Sequence, residues 1–285
     1  MLLLHRAPAR RDVLFAALWL GWALAGVLAA TDPWTRLEAA WVCLFAGGLL
    51  VALALKPPEL GDLIGTGLSA AAWASVAGVL LLTLTGSSWP ELRWIAEHHF
   101  RDQLRFVTDR LGVVMLGMEV ESGAAGRFDT MVATADATVS VAAALLPALL
   151  LLQSLAALAL AWVLYRWTAR EPVGVRLPRL SEFRFNDHLI WGLILAVLTI
   201  VVPGLGRLQA LGENLTAFFG GLYVARGLGV VAALAAAGGV GGPVAWLFGI
   251  LMLVFLLPLV AFSALAVGVL DTWMDWRKRL AALKR

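Results

Sequence analysis

Apolar positions along this chain gather into seven blocks, at residues 13–30, 37–55, 64–84, 139–164, 188–202, 214–237 and 244–270. About 20 apolar residues in a helix cross the hydrocarbon layer of a bilayer, and most of these blocks approach or exceed that length. The pattern predicts an all-α, polytopic transmembrane bundle of about seven hydrophobic helices and one amphipathic interfacial helix. The breaks support these boundaries. Thr31-Asp32-Pro33-Trp34 stops one helix and starts the next, Lys56-Pro57-Pro58-Glu59 is a turn, and Pro203-Gly204 ends the short fifth block. Glycines 238, 239, 241 and 242 with Pro243 end the sixth. Pro147 lies inside the fourth block and predicts a kink, and Pro258 breaks the seventh.

Residues 87–138 depart from this pattern. Charge returns at nearly helical intervals, while Leu92, Ile95, Phe100, Leu104, Val107, Leu111, Val114 and Met118 recur every three or four positions, which predicts an amphipathic helix. Ser88 followed by Glu91 marks its start, and Glu97–Arg101 and Arg105–Asp109 are i,i+4 pairs on its polar side. Such a helix lies along the membrane surface or packs over the protein's own loops, and both readings stay open. Residues 121–136 read as an exposed loop. The chain thus divides into a three-helix membrane bundle (1–86), the amphipathic helix and loop (87–138), and a C-terminal membrane region of about four helices (139–285) with a basic loop at 166–187 and a basic tail.

Composition agrees with the pattern: 61% of residues are hydrophobic and 14% charged, against about 25% charged in soluble domains, and the mean hydropathy is +0.86. The lipid bilayer is therefore the first expected partner. The net charge of +3 is distributed in basic clusters at the N-terminus, at 166–184 and at 277–285. That distribution is a topology signal rather than a nucleic-acid surface, and no nucleic-acid partner is expected. Seven crossings cannot place all three clusters on one side, whereas six or eight can; an N-terminus inside satisfies the first two. Arg6, Arg10 and Arg11 precede the first block as they would in a signal peptide, but that block is 18 residues long and further spans follow, so it is expected to stay as the first helix. The single cysteine, Cys43, excludes an intrachain disulfide framework.

The chain contains no Walker loop, GxSxG, HExxH or CxxC sequence. No enzymatic activity, cofactor or metal is expected, since His5, His98, His99 and His188 form no ligand set and the adjacent pair point about 100° apart on a helix. Arg226 carries the most information. It lies about 12 positions inside the sixth block, and a charge at the bilayer centre costs roughly 2.5–3.5 kcal/mol even on insertion scales, so it needs a partner. Glu213 is thirteen positions earlier, on nearly the opposite face. The other blocks offer no carboxylate at comparable depth, only Gln153, Ser154 and Ser263. An anionic solute or a lipid phosphate is then a candidate partner, with Arg226, Gln153, Ser154 and Asn214 as ligand-facing residues. The alternative is a structural Arg226 bonded within the fold, with Asn214 capping its helix. Gly220, Gly221, Gly227 and Gly229 around the arginine would admit a second backbone.

One set of residues resembles a known family. It comprises the segment Arg176-Leu177-Pro178-Arg179-Leu180-Ser181-Glu182-Phe183-Arg184-Phe185 leading to His188 and Trp191, then Asn214-Leu215, Arg226-Gly227, and Gly268-Val269-Leu270-Asp271-Thr272-Trp273 with Arg277. In this respect residues 140–280 resemble the YybS-like family of bacterial membrane proteins, a domain of unknown function, with Pro178, Phe183, Trp191, Gly227, Gly268, Asp271, Trp273 and Arg277 as its motif positions. The N-terminal half is similar only in being hydrophobic. The resemblance implies a bacterial inner-membrane protein of unassigned activity, distantly akin to the substrate-binding subunits of energy-coupling-factor vitamin transporters.

Two functional expectations follow. The first is a transporter-like protein with a small-solute or lipid-facing cavity at Arg226. The second is a scaffold that recruits a membrane-protein partner through the amphipathic helix and basic loop. The lack of carboxylates deep within the blocks favours the scaffold, because proton-coupled transport needs a titratable carboxylate.

Overall fold

A computed structural model describes residues 29–55, 63–116, 122–168, 177–237 and 256–276, with positions 21, 25, 26, 249 and 251 besides. Among the described residues the secondary structure is helical throughout, in eight continuous α-helices: α1 (Pro33–Leu55), α2 (Leu63–Thr85), α3 (Trp89–Leu116), α4 (Ser122–Ala144), α5 (Leu146–Thr168), α6 (Leu189–Val201), α7 (Gln209–Ala237) and α8 (Leu257–Met274). Five are long and apolar enough to cross a membrane, over Pro33–Ala52, Ile64–Thr85, Leu146–Thr168, Gln209–Ala236 and Leu257–Met274. The expected polytopic helical architecture is thus present. Most of the first block, at 13–30, lies outside the described residues, as does most of 244–256.

Local chemistry sets the helix ends. Asp32 precedes Pro33, and its carboxylate accepts hydrogen bonds from the Thr35 amide (2.8 Å) and hydroxyl (2.9 Å), while proline at the first helical position gives up an N–H that had no partner. The Glu91 amide donates weakly to the Ser88 hydroxyl (3.4 Å) at the start of α3. Pro147 stands second in α5, and the chain breaks between α4 and α5 at Leu145. One block therefore becomes two helices at the predicted kink, because proline lacks an N–H and its ring collides with the preceding turn.

The expected loop at 121–136 is instead the helix α4. Its glycine- and hydroxyl-rich sequence reads as a turn, but in the helix Thr134 and Thr138 donate to the carbonyls of Thr130 and Thr134 (both 2.9 Å), and Ser140 donates to Ala137 (3.0 Å). Hydroxyls bonded back to their own turn no longer compete with helix formation.

The chain forms two compact units, Met1–Asp62 with Thr66–Leu158, and Leu63–Gly65 with Ala159–Arg285. In the first, Gly48 of α1 meets the Ala70 carbonyl and Ala74 amide of α2, and both alanines are fully buried. The helix α3 packs by its apolar face, with Ala96 buried against Trp34, Ala143 and Leu146 and with Ile95 and Phe100 beside them. Its polar side carries the expected Glu97–Arg101 pair (2.6 Å), and Arg101 also reaches Asp136 of α4 (3.3 Å). Packing onto the protein's own elements covers the first turns of this face, through Ile95, Ala96 and Phe100, whereas Val107 farther along it is exposed.

In the second unit α7 is the central helix. Its N-terminal half runs antiparallel to α6, with Gly212 against Thr199 and Phe219 against Gly192. Its C-terminal half runs antiparallel to α8, with Gly227 against the Ala264 carbonyl and the Tyr223 carbonyl against Gly268. A strap, residues 177–188, lies beside α7 where α6 begins and α8 ends.

Candidate functional site

The second unit closes around Arg226, which follows Gln209, the first residue of α7, by 17 positions and precedes Ala237, the last, by 11. Its side chain is 3% exposed, and two carboxylates hold it. The Nε group donates to Oδ2 of Asp271 in the last turn of α8 (3.0 Å), and Nη1 donates to Oδ1 of Asp187 on the strap (2.6 Å). The expectation that no carboxylate stands near Arg226 is therefore corrected. Asp271 escaped it because the seventh block was ended at residue 270, whereas α8 continues to Met274. With Asp271 in place, the argument that favoured a scaffold from missing intrahelical carboxylates also lapses.

Small residues create this arrangement. A Cβ at Gly227 would collide with the Ala264 backbone and one at Gly268 with that of Tyr223, so α7 and α8 approach closely only because both positions are glycine. That approach lets the Asp271 carboxylate, 1% exposed as a residue, reach the guanidinium. Gly229 admits the Leu180 carbonyl of the strap in the same way, whereas Gly220 faces open space. Packing is thus found at Gly227 and Gly229 and not at Gly220.

The strap covers the guanidinium with two side chains. Asp187 supplies charge, and the Phe185 ring centroid lies 5.4 Å from Arg226 Cζ, a cation–π contact. Phe185 in turn meets Tyr223 edge-on at 5.1 Å and Phe183 at 5.9 Å. Arg184 pairs with Asp275, which ends α8 in a left-handed conformation at φ 44°, a geometry that aspartate tolerates. Burial differs sharply between the two acids of the site: the Asp271 side chain is 0% exposed and that of Asp187 61%. The interior around Arg226 is closed on the Asp271 side and reaches the protein surface through Asp187. Beside it, the buried Tyr223 hydroxyl faces the Thr272 hydroxyl.

The other expected ligand-facing residues lie elsewhere. Ser154 accepts a hydrogen bond from Trp41 Nε1 (2.9 Å) inside the first unit, and Gln153 next to it is exposed. Asn214 does not cap α7. The helix starts five residues earlier, at Gln209, and Asn214 is 8% exposed with Nδ2 donating to the Ala210 carbonyl (2.9 Å). Of the motif positions, Phe183, Gly227, Gly268 and Asp271 meet at the site, Pro178 is an exposed part of the strap, and Arg277 lies outside the described residues. Trp191 in the first turn of α6 and Trp273 in the last turn of α8 are 63% and 65% exposed, as indoles at a membrane interface are. Asp187, Phe185 and Tyr223 were not expected as site residues. The one signal for Asp187 was its place directly before the fifth block. Among the described residues no group of three or more His, Cys, Asp or Glu side chains could hold a metal.

No curated protein and no solved structure matches the chain. A family model does match, over residues 15–272, and so takes in the N-terminal half as well as the region of the sequence motifs. The protein is a helical membrane protein with several helices able to cross, and it belongs to the family described as "Predicted membrane protein (DUF2232)".

Proposed function

We propose that this chain is a transporter-like, non-catalytic protein of the bacterial cytoplasmic membrane, whose C-terminal unit engages a small anionic solute or an anionic lipid head at Arg226. One observation carries the reading: a guanidinium 3% exposed is reached by a carboxylate that is 61% exposed, so the buried charge is linked to the protein surface along one edge. A buried arginine of this kind is costly to maintain and marks functional sites in membrane proteins. The resemblance of the strap and its flanking motifs to the YybS-like family, with its distant kinship to vitamin-transporter subunits, points the same way.

The test is uptake and binding of a panel of short carboxylates and inorganic phosphate by proteoliposomes containing the full chain. Arg226→Leu and the paired Arg226→Met, Asp271→Leu change are compared with the wild type, and folding is followed by size-exclusion chromatography. Loss of an anion signal in the folded paired variant supports the reading. An unchanged signal overturns it.

A second reading is a structural role for Arg226 within a scaffold. The observation favouring it is the fully buried Asp271, which already pairs with the arginine. On that reading Arg226→Leu loses stability, the paired change recovers most of it, and no anion signal depends on Arg226.

A further inference from the structure

The two carboxylates around Arg226 are not equivalent. Asp271 and Arg226 are both buried and together neutral, while Asp187 adds one negative charge from an exposed position on the strap. An anion approaching this site would meet a surplus of negative charge and one already occupied guanidinium edge. Exchange removes the difficulty: if Asp187 leaves as the anion arrives, the charge count is unchanged.

We propose that Asp187 is an internal ligand of the Arg226 site, holding the place that an oxyanion, carboxylate or phosphate, takes when it binds. This rests on the reading of Arg226 as an anion-engaging residue. Three features support the exchange. First, Asp187 is engaged through one oxygen on one nitrogen, whereas a free oxyanion can bridge two guanidinium nitrogens in the stronger bidentate form. Second, Asp187 can leave by rotation of its own side chain. The strap stays anchored by Leu180 against Gly229, by Phe185 on Tyr223 and by Arg184 on Asp275, none of which involves Asp187. Third, Tyr223, 0% exposed and one turn before Arg226, has its hydroxyl facing that of Thr272 next to Asp271, and of two facing hydroxyls only one can donate to the other. The second O–H is a donor that an additional oxyanion oxygen, directly or through water, would satisfy.

The other charged or titratable groups on the elements that form the site are few. The strap and the start of α6 carry Arg179, Glu182, Arg184 and His188, α7 carries Glu213 near its start, and α8 ends in Asp275; Arg184 and Asp275 pair with each other. Asp187 is thus the acid whose departure exposes the guanidinium.

An internal competitor weakens binding of an external one by its own effective concentration. Asp187→Asn keeps the shape and removes the charge. The experiment titrates the full chain, wild type and Asp187→Asn, with acetate and with inorganic phosphate in neutral detergent. A second arm compares nanodiscs of phosphatidylcholine with nanodiscs containing phosphatidylglycerol. Binding is read from anion-dependent melting. Asp187→Asn is expected to bind at least tenfold more tightly, Asp187→Glu to return the affinity toward wild type, and the added Arg226→Met, Asp271→Leu change to abolish the gain. A gain with free anions identifies a solute site, and a gain with phosphatidylglycerol alone identifies a lipid head. Equal affinity of wild type and Asp187→Asn, with binding still dependent on Arg226, overturns the internal ligand and leaves the anion reading standing. Absence of binding in both proteins and both arms overturns the two together.

Discussion

Arg226 and Asp271, 45 residues apart in sequence, meet at 3.0 Å between Nε and Oδ2 where neither is exposed to solvent. The pair ties α7 to α8 through a buried ion pair, and Asp187 of the strap holds Arg226 besides. Replacing both with apolar residues is often tolerated, whereas removing one leaves a buried charge and costs about 3–5 kcal/mol. Asp271→Leu alone should therefore lower the apparent melting temperature of the purified protein steeply, and adding Arg226→Met should recover most of the loss. A double variant as unstable as the single one would show that the two residues do not act as a pair.

Gly227 and Gly268 define a second prediction. Substituting either with alanine places a methyl group against the backbone of the facing helix, and overpacking costs typically about 1–3 kcal/mol. Gly220→Ala, with nothing within 4 Å of the added carbon, should be neutral or stabilising by about 0.5–1 kcal/mol from helix propensity. Melting curves of the three variants in one detergent decide the matter, and equal destabilisation by all three contradicts the packing.

A third concerns Trp41 and Ser154, joined at 2.9 Å across α1 and α5. Trp41→Phe and Ser154→Ala should each cost about 1 kcal/mol, and the double variant should cost clearly less than their sum. Strict additivity would mean that the bond contributes nothing.

The N-terminus of α1 titrates. Asp32 is held below its ordinary value of 3.8, first by the Thr35 amide and then by the Thr35 hydroxyl, both of which bond to its charged form. A lowered native value means that the cap's contribution is complete above the ordinary carboxylate range and is lost as pH falls through the depressed value. Following the Thr35 amide by NMR should give a midpoint below 3.8; a midpoint at or above it refutes the cap. Asp32→Ala should fray the first turn of α1 at neutral pH.

The helices were legible in the sequence where apolar blocks met strong breakers, as at Pro33, Pro147 and Pro203-Gly204. The helix α4 was hidden because its glycines, threonines and serines carry the same signal as a turn until their hydroxyls bond to the helix itself. Arg226 stood out as a charge within an apolar run, and Gly227 beside it as a packing position. Its partners were unreadable for a different reason. Asp187 and Asp271 lie at the edges of blocks, where charges are expected and ordinary, and only the antiparallel register of α6 and α8 along α7 brings them to one guanidinium. Asn214 was misplaced because it opens the apolar block but not the helix, which begins five residues earlier at Gln209 and takes in the polar Gln209 and Glu213.

The helix α6 has 13 residues and ends in a turn with Gly204 at φ 101°. At about 1.5 Å per residue it is roughly 20 Å long, against a hydrocarbon layer of about 30 Å. Its neighbour α7, at 29 residues, exceeds that layer. Lipid chains flanking this pair face two different thicknesses within one hairpin, and they accommodate them by local thinning beside α6 or by tilt of α7, at fractions of a kcal/mol per Å. The C-terminal unit is thereby sensitive to acyl-chain length, and short-chain bilayers favour whichever arrangement sets α6 across the membrane.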